Sequence, residues 1–205
     1  MRAPAELFLA SSNSGKLAEL RVLAEAAGPP GARLGLLPGF AKIAAFEENA
    51  PTFGENALGK ALYYSRHCDG LVFAEDSGLV VPALGGAPGV HSARYAGAGA
   101  SDAERIAKLL GELAGKTADE RKANFVCVIA AARHGRCIAI VSDRVDGRIT
   151  VEPRGAGGFG YDPVFWFPPL QKTFAELPAE AKNRHSHRGK AFRRLLTALH
   201  EAGWA

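Results

Sequence analysis

Several stretches of this sequence carry side chains able to do chemistry. The run Ser11-Ser12-Asn13-Ser14-Gly15-Lys16 sets hydroxyl and amide residues and one ammonium between a short apolar run and a helix-forming segment. Open backbone N–H groups at a helix start, backed by the helix dipole, attract anions, and a lysine suits phosphate. The same pattern equally describes a plain helix cap beside a solvated lysine. Acidic residues recur at Glu47, Glu48, Glu55, Glu75 and Asp76. Glu75-Asp76 follows an apolar run and precedes Ser77-Gly78, which reads as carboxylates at the C-terminal end of a buried strand, where open α/β sheets place ligands. Such donors suit magnesium, usually held by one or two protein carboxylates plus phosphate oxygens. Glu48 and Glu55, taken singly, read as ordinary surface glutamates.

Further along, "GGFGYDP" offers a pliant backbone beside Phe159 and Tyr161, whose rings can stack on a base. The run "KNRHSHRGK" then supplies Lys182, His187, Arg188 and Lys190. On charge alone that run reads as a solvated helical face. Taken together, a carboxylate pair, a lysine loop, an aromatic stacker and a basic cluster describe a nucleoside triphosphate with its metal.

Two literal motif matches fail on chemistry. "GENALGKA" has Gly54, Gly59 and Lys60 at phosphate-loop spacing, but Ala61 stands where a hydroxyl must hold magnesium, and the segment is helix-forming. "GAGGFG" at 155–160 matches the dinucleotide fingerprint, yet Tyr161-Asp162-Pro163 and an aromatic run follow it, with no helix to face a pyrophosphate.

These groups need a scaffold, and 205 residues suffice for one packed domain. Hydrophobic residues make up 47% and charged residues 22%, an ordinary globular composition. No apolar run approaches the roughly 20 residues of a membrane span, and the start "MRAPAELFLASS" is too short for a signal-peptide core. A cytoplasmic location is expected. Cys68, Cys127 and Cys137 are odd in number and lack CxxC spacing, so buried, inert thiols are expected instead of disulfides or zinc. The net charge of +4 permits an anionic partner without identifying one.

"ELFLA" reads as a strand and "KLAELRVLAEAAG" as a helix, with Leu17, Leu20, Val22, Leu23 and Ala27 near helical spacing. A second helix is expected from Phe53 to His67. "GLVFAEDSGLVV" then reads as a strand, an acidic break and a second strand, and "PALGGAPGVHSARYAGAGA" as an ordered loop. Ser101 and Glu104 form a capping-box pattern ahead of an amphipathic helix. Three strand-like runs follow, joined by His134-Gly135 and Asp146-Gly147, which predicts an antiparallel meander. Helical material is expected over 178–202. The sum is a mixed α/β protein without repeats.

In order, "SSNSGK", "FEENAPTFGENALGKA", "AEDSGLVVPALGGAPGVHSARYAG", "GGFGYDPVF" and "SHRGKA" resemble the inosine triphosphate pyrophosphatases over almost the whole chain. The resemblance implies an elongated mixed-sheet α/β fold, one domain over 1–205 with two lobes flanking a central nucleotide-binding cleft, and a homodimer without membrane or stable nucleic-acid partner. It implies Mg2+ as cofactor and hydrolysis of ITP, dITP and XTP to the monophosphate and pyrophosphate. Carried over, phosphate binding falls on Ser11, Ser12, Asn13, Ser14, Gly15 and Lys16, with metal binding on Glu47 and Asp76. Asp76 is also the catalytic position, and Ser77 the adjoining substrate contact. Base binding falls on Phe159, Gly160, Tyr161 and Asp162, then Lys182, His187 and Arg188. Bacterial relatives often have Thr-Gly-Asn where this chain has Ser11-Ser12-Asn13, and Asp-Asp where it has Glu75-Asp76. Maf-like nucleotide pyrophosphatases are the nearest rival family, disfavoured by the two ends of the motif set. A nucleic-acid-binding protein using the basic tail is the rival of another class.

Overall fold

The computed structural model describes residues 6–11, 14–27 and 33–204. In chain order these form β1 (Glu6–Leu9), α1 (Ser14–Ala27), β2 (Arg33–Leu36), α2 (Phe53–Tyr64), β3 (Leu71–Val80), α3 (Asp102–Glu112), β4 (Lys122–Arg133) and β5 (Arg136–Ile149). They continue through β6 (Phe165–Phe167), β7 (Lys172–Thr173), α4 (Ala179–His185) and α5 (His187–Glu201), with short 3₁₀ turns between. The strands pair in the order β2-β1-β3-β4-β5-β6-β7. β1 is parallel to β2 and β3, whereas β6 is antiparallel to β5 and β7, so the sheet is mixed.

The chain folds into two compact units. The first takes the described residues through Asp76, then Cys127–Asp143, then Arg188 onward. Its core gathers Leu7 and Leu9 of β1, Leu20 and Leu23 of α1, Phe73 of β3, Ile129 of β4, and Phe192 and Leu195 of α5. Helical spacing correctly selects Leu20 and Leu23, with Leu17 packed beside them, but Val22 falls between the stripe positions and is 44% exposed. The second unit takes Ser77–Val126 and Arg144–His187. Its core is aromatic, with Phe125, Phe165, Phe167 and Phe174 closed in by Ile106 and Leu109 of α3. The expected capping box is present on α3, Ser101 and Glu104 satisfying each other's backbone N–H groups.

Several sequence expectations need correction. β3 is one uninterrupted strand through Glu75, Asp76, Ser77 and Gly78, so the carboxylates lie mid-strand and not at a strand end. β5 likewise runs straight through Asp146-Gly147. Only His134-Gly135 makes a tight turn, both residues having positive φ, 51° and 73°. Gly147 serves close approach instead: a Cβ there would come within 2.4 Å of the Trp166 carbonyl oxygen on β6. The loop after β3 contains two 3₁₀ turns, Pro82–Leu84 and Gly89–Arg94. The second helix stops at Tyr64, short of His67, and the C-terminal helical stretch breaks at Ser186. A three-residue 3₁₀ turn, Asp162–Val164, does follow "GAGGFG", although it is too short to present an anion site. All three cysteines are free, but only Cys127 is buried; Cys68 is half-buried and Cys137 is exposed on β5. No helix among the described residues is long and apolar enough to cross a membrane.

Candidate active site

Successive side chains of a strand point to opposite faces, so adjacent Glu75 and Asp76 enter two different environments of the first unit. Asp76 faces α2. That helix is capped by Thr52, whose hydroxyl accepts from the Glu55 N–H and donates to the Glu55 carboxylate; Glu55 is exposed, as expected of a surface glutamate, and also serves the cap. Asn56 and Lys60 sit four residues apart on the buried stripe of α2 and so share a face. Asn56 Nδ2 donates to Asp76 Oδ2 at 3.0 Å, and Lys60 Nζ lies 4.0 Å from Asp76 Oδ1. Lys60 Nζ also donates to the Glu75 carbonyl oxygen at 2.6 Å and to Glu48 Oε2 at 2.8 Å. Burial pushes the Asp76 carboxyl above its ordinary range; Lys60 and Asn56 pull the other way without cancelling it, and Glu48 adds to the rise.

Glu75 faces α1 and α5. Its carboxylate accepts from Arg188 Nε at 3.0 Å, lies 3.1 Å from Lys16 Nζ, and accepts from the Cys127 thiol at 3.0 Å. Arg188 Nη1 donates to Glu19 Oε2 at 2.5 Å, one turn along α1 from Lys16. Burial pushes Glu75 upward, but Arg188 and Lys16 outweigh it and hold the carboxyl well below the usual carboxylate range. Burial in turn raises the Cys127 thiol, with the Glu75 charge adding to it. This longer acid is therefore a buried anchor for two cations, which explains how a glutamate is accommodated here.

The second unit holds the rest. Lys182 and Asp162 are both buried and paired at 2.5 Å. The same Asp162 Oδ2 accepts from the Phe159 N–H at 2.9 Å, and Lys182 Nζ sits 4.5 Å from the centre of the half-buried Phe159 ring. Gly158 has φ +71°, and a Cβ on it would come within 2.1 Å of Asp162 Oδ2, so this loop needs glycine there. Tyr161 is not a free stacking ring: it is buried, its hydroxyl donating to the Ser92 carbonyl oxygen at 2.9 Å. His187 is also buried, its ring stacked on Phe125 at 4.7 Å and 10°.

Lys16, Asp76 and Arg188 thus belong to the first unit, Lys16 and Arg188 on the Glu75 side, and so does exposed Glu47, which accepts from Asn49 at 3.0 Å. Phe159, Gly160, Tyr161, Asp162, Lys182 and His187 belong to the second, along with Ser77. Arg188 is paired with the acidic groups Glu75 and Glu19 of the first unit. Ser11 is half-buried just after β1, and Gly15 lies in the first turn of α1, which Ser14 opens; Ser12, Asn13 and the Ser14 side chain are outside the described residues. Sequence reasoning missed Asn56 and Glu19, set Glu48 aside, and weighed Lys60 only as a rejected phosphate-loop lysine; Cys127 is the buried thiol expected, but its contact with Glu75 was not foreseen. The i, i+4 spacing of Asn56 and Lys60 within "ENALGKA" was the available signal.

A divalent cation fits the chemistry of this region. Among the described residues no three His, Cys, Asp or Glu side chains converge on a point. Magnesium is usually held by one or two protein carboxylates plus substrate oxygens, and Asp76 is a carboxylate of that kind. Asp76, kept from water with Glu48 near it, is a carboxylate that a cation would favour in its charged form.

Comparison with known proteins places these residues in context. The model of the Ham1 family matches residues 7–198. A Geobacillus kaustophilus protein named dITP/XTP pyrophosphatase is 49% identical over 190 residues, covering 93% of this chain and 92% of that protein. One of the same name from Gloeobacter violaceus is 50% identical over 191 residues, covering 93% and 92%. Among solved structures, a HAM1 protein from Coxiella burnetii superposes with a TM-score of 0.85 at 42% identity, covering 96% of this chain and 99% of its own.

Proposed function

We propose, from the premise that this chain belongs to the Ham1 family, that it hydrolyses dITP, XTP and ITP to the nucleoside monophosphate and pyrophosphate with the help of magnesium. The observation that carries this reading is Asp76, a buried carboxylate flanked by Lys60 and Asn56. A carboxylate fixed in this way suits a group that orients attacking water and takes its proton. Asp76 and Glu47 would hold the metal, whose chemistry is to neutralise charge on phosphate oxygens.

Asp76 orients and deprotonates the water aimed at the α-phosphorus, and Asn56 fixes its carboxylate by donating to Oδ2. Lys16 and Lys60 supply positive charge for the polyphosphate, so that most of the work is positioning and electrostatics. At the other end of the substrate, Phe159 offers a face for the base. Lys182 donates to the 6-oxygen of hypoxanthine or xanthine, while Asp162 holds that ammonium in place. Adenine carries an amino group at that position and would set donor against donor, a mismatch that polar sites reject strongly.

The test is a panel of dITP, XTP, ITP, ATP and GTP with magnesium, reading pyrophosphate and orthophosphate separately. The first three are expected to release pyrophosphate far faster than ATP, whose 6-amino group would face Lys182, or GTP, whose 2-amino group none of the three carries. Release of orthophosphate, or equal rates on all five, would overturn the proposal. The resemblance to the family also favours a homodimer, which sedimentation velocity would reveal as twice the chain mass.

A further inference from the structure

We propose that Asp102 is a positioning residue for base selection: its carboxylate holds the Gly160 amide and thereby fixes where the Phe159 ring lies. This deepens, and rests on, the base-binding role proposed for Phe159 and Lys182. The chain around Phe159 has little stiffness of its own, because Gly158 and Gly160 on either side both adopt positive φ, 71° and 62°, without a side chain to restrain them. Two carboxylates hold its backbone N–H groups. The Phe159 N–H donates to Asp162 Oδ2 at 2.9 Å, and the Gly160 N–H donates to Asp102 Oδ2 at 2.7 Å. One clamp therefore acts before the Phe159 Cα and one after it. Each is a bond to an ionised acceptor, stronger than a neutral one.

Asp102 is itself immobilised. It is the first residue of α3, next to the Ser101 capping box. Its other oxygen pairs with Arg105, whose Nη1 donates to the carbonyl oxygens of Ala93 at 2.8 Å and Ala100 at 2.6 Å. The residue beside Ala93, Ser92, receives the Tyr161 hydroxyl through its carbonyl at 2.9 Å. Asp102 thus joins Gly160 to the same backbone stretch that anchors Tyr161, all within the second unit. Loss of the Asp102 oxygen removes the hold on the Gly160 N–H and leaves Phe159 to its contacts with Asp162 and Lys182, and the stacking face shifts relative to Lys182.

The competing role is a plain acidic residue in a helix's first turn, which would support α3 and nothing else. Comparing wild type with Asp102→Ala and Asp102→Asn separates the two, using steady-state kinetics on dITP, XTP and dATP, melting temperature, and amide hydrogen exchange at Gly160. In Asp102→Ala, KM for dITP is expected to rise about tenfold with kcat nearly unchanged, the scale of one charge-assisted hydrogen bond. The preference for dITP over dATP narrows by a similar factor, and the Gly160 amide exchanges faster. Asp102→Asn keeps an oxygen that accepts the same N–H and should recover part of both losses, since a neutral acceptor bonds more weakly than an ionised one. An unchanged Gly160 exchange rate in Asp102→Ala would overturn the proposal. So would an equal loss on all substrates accompanied by a lower melting temperature. Failure of wild type to cleave dITP or XTP would instead defeat the proposed function, and this inference with it.

Discussion

Asp76 is held in the folded protein at an energetic disadvantage. Its folded pKa lies above the unfolded value because burial penalises the charged form. The folded state therefore binds this proton more tightly than the unfolded one, and the associated stability is full below the ordinary carboxylate range and lost as pH rises through the folded pKa. Asp76→Asn removes that loss while keeping the size of the side chain and an oxygen to accept from Asn56. Without metal, its melting temperature is expected to exceed that of wild type at pH 7, and the gap to close at pH 4. Turnover should fall by about 10²–10⁴-fold, the range for removal of a general base. A variant that melts below wild type at pH 7, or that keeps near-normal turnover at saturating magnesium, would remove Asp76 from this role. Glu75, one residue away, has its folded pKa lowered by Arg188 and Lys16, so its contribution is present above the ordinary carboxylate range and is lost only in strong acid.

Helix α2 shows what an element contributes beyond its side chains. Gly59, whose phosphate-loop match fails because its segment is helix-forming, does lie mid-helix, where a Cβ would come within 2.5 Å of Phe46 Cζ. Phe46 is also tied by its N–H to the Tyr64 hydroxyl at 3.0 Å and leads directly into Glu47 and Glu48. Gly59→Ala should gain about 1 kcal/mol of intrinsic helix preference, yet must push the Phe46 ring aside. The expected outcome is a several-fold higher magnesium concentration for half-maximal activity, with KM for dITP at saturating metal little changed, as read by a magnesium titration. An unaltered titration would show that the 46–48 segment is indifferent to this contact. The same distinction between local and distant causes decides what was legible in the sequence. The α3 cap, the His134-Gly135 turn and the α1 stripe are local, and residue types state them outright. The continuity of β3 is not local, because acidic residues are poor strand formers and what stabilises Glu75 there is Arg188, 113 residues on. Asp146-Gly147 misled for the same reason, since the partner that needs the glycine is Trp166. At the candidate site, Asp76, Lys182 and Phe159 stood out by type and order, whereas the burial of Arg188 against Glu19 and Glu75 depends on partners far off in the sequence.

At the scale of the whole molecule, the groups suited to phosphate and metal and those suited to a base belong to separate units, each with its own core. Partial ligands should therefore report on them separately. Inorganic triphosphate with magnesium is expected to slow amide exchange at 14–27 and 53–76, and deoxyinosine monophosphate to add protection at 155–185, measured by hydrogen–deuterium exchange mass spectrometry. Protection confined to the first unit with the nucleotide would contradict the assignment of base binding to Phe159 and Lys182. The division is spatial only, for the chain passes from one unit to the other after Asp76, Val126, Asp143 and His187. Domains commonly fold as units, the N-terminal one first, while the chain is still being made. That order is closed to this protein. The first unit is begun earliest, but Phe192, Leu195 and Leu199 of its core are translated only after every residue of the second. β1 and α1 must leave the ribosome and wait, with Leu9 and Leu20 lacking their final cover, until α5 emerges to complete the core they started.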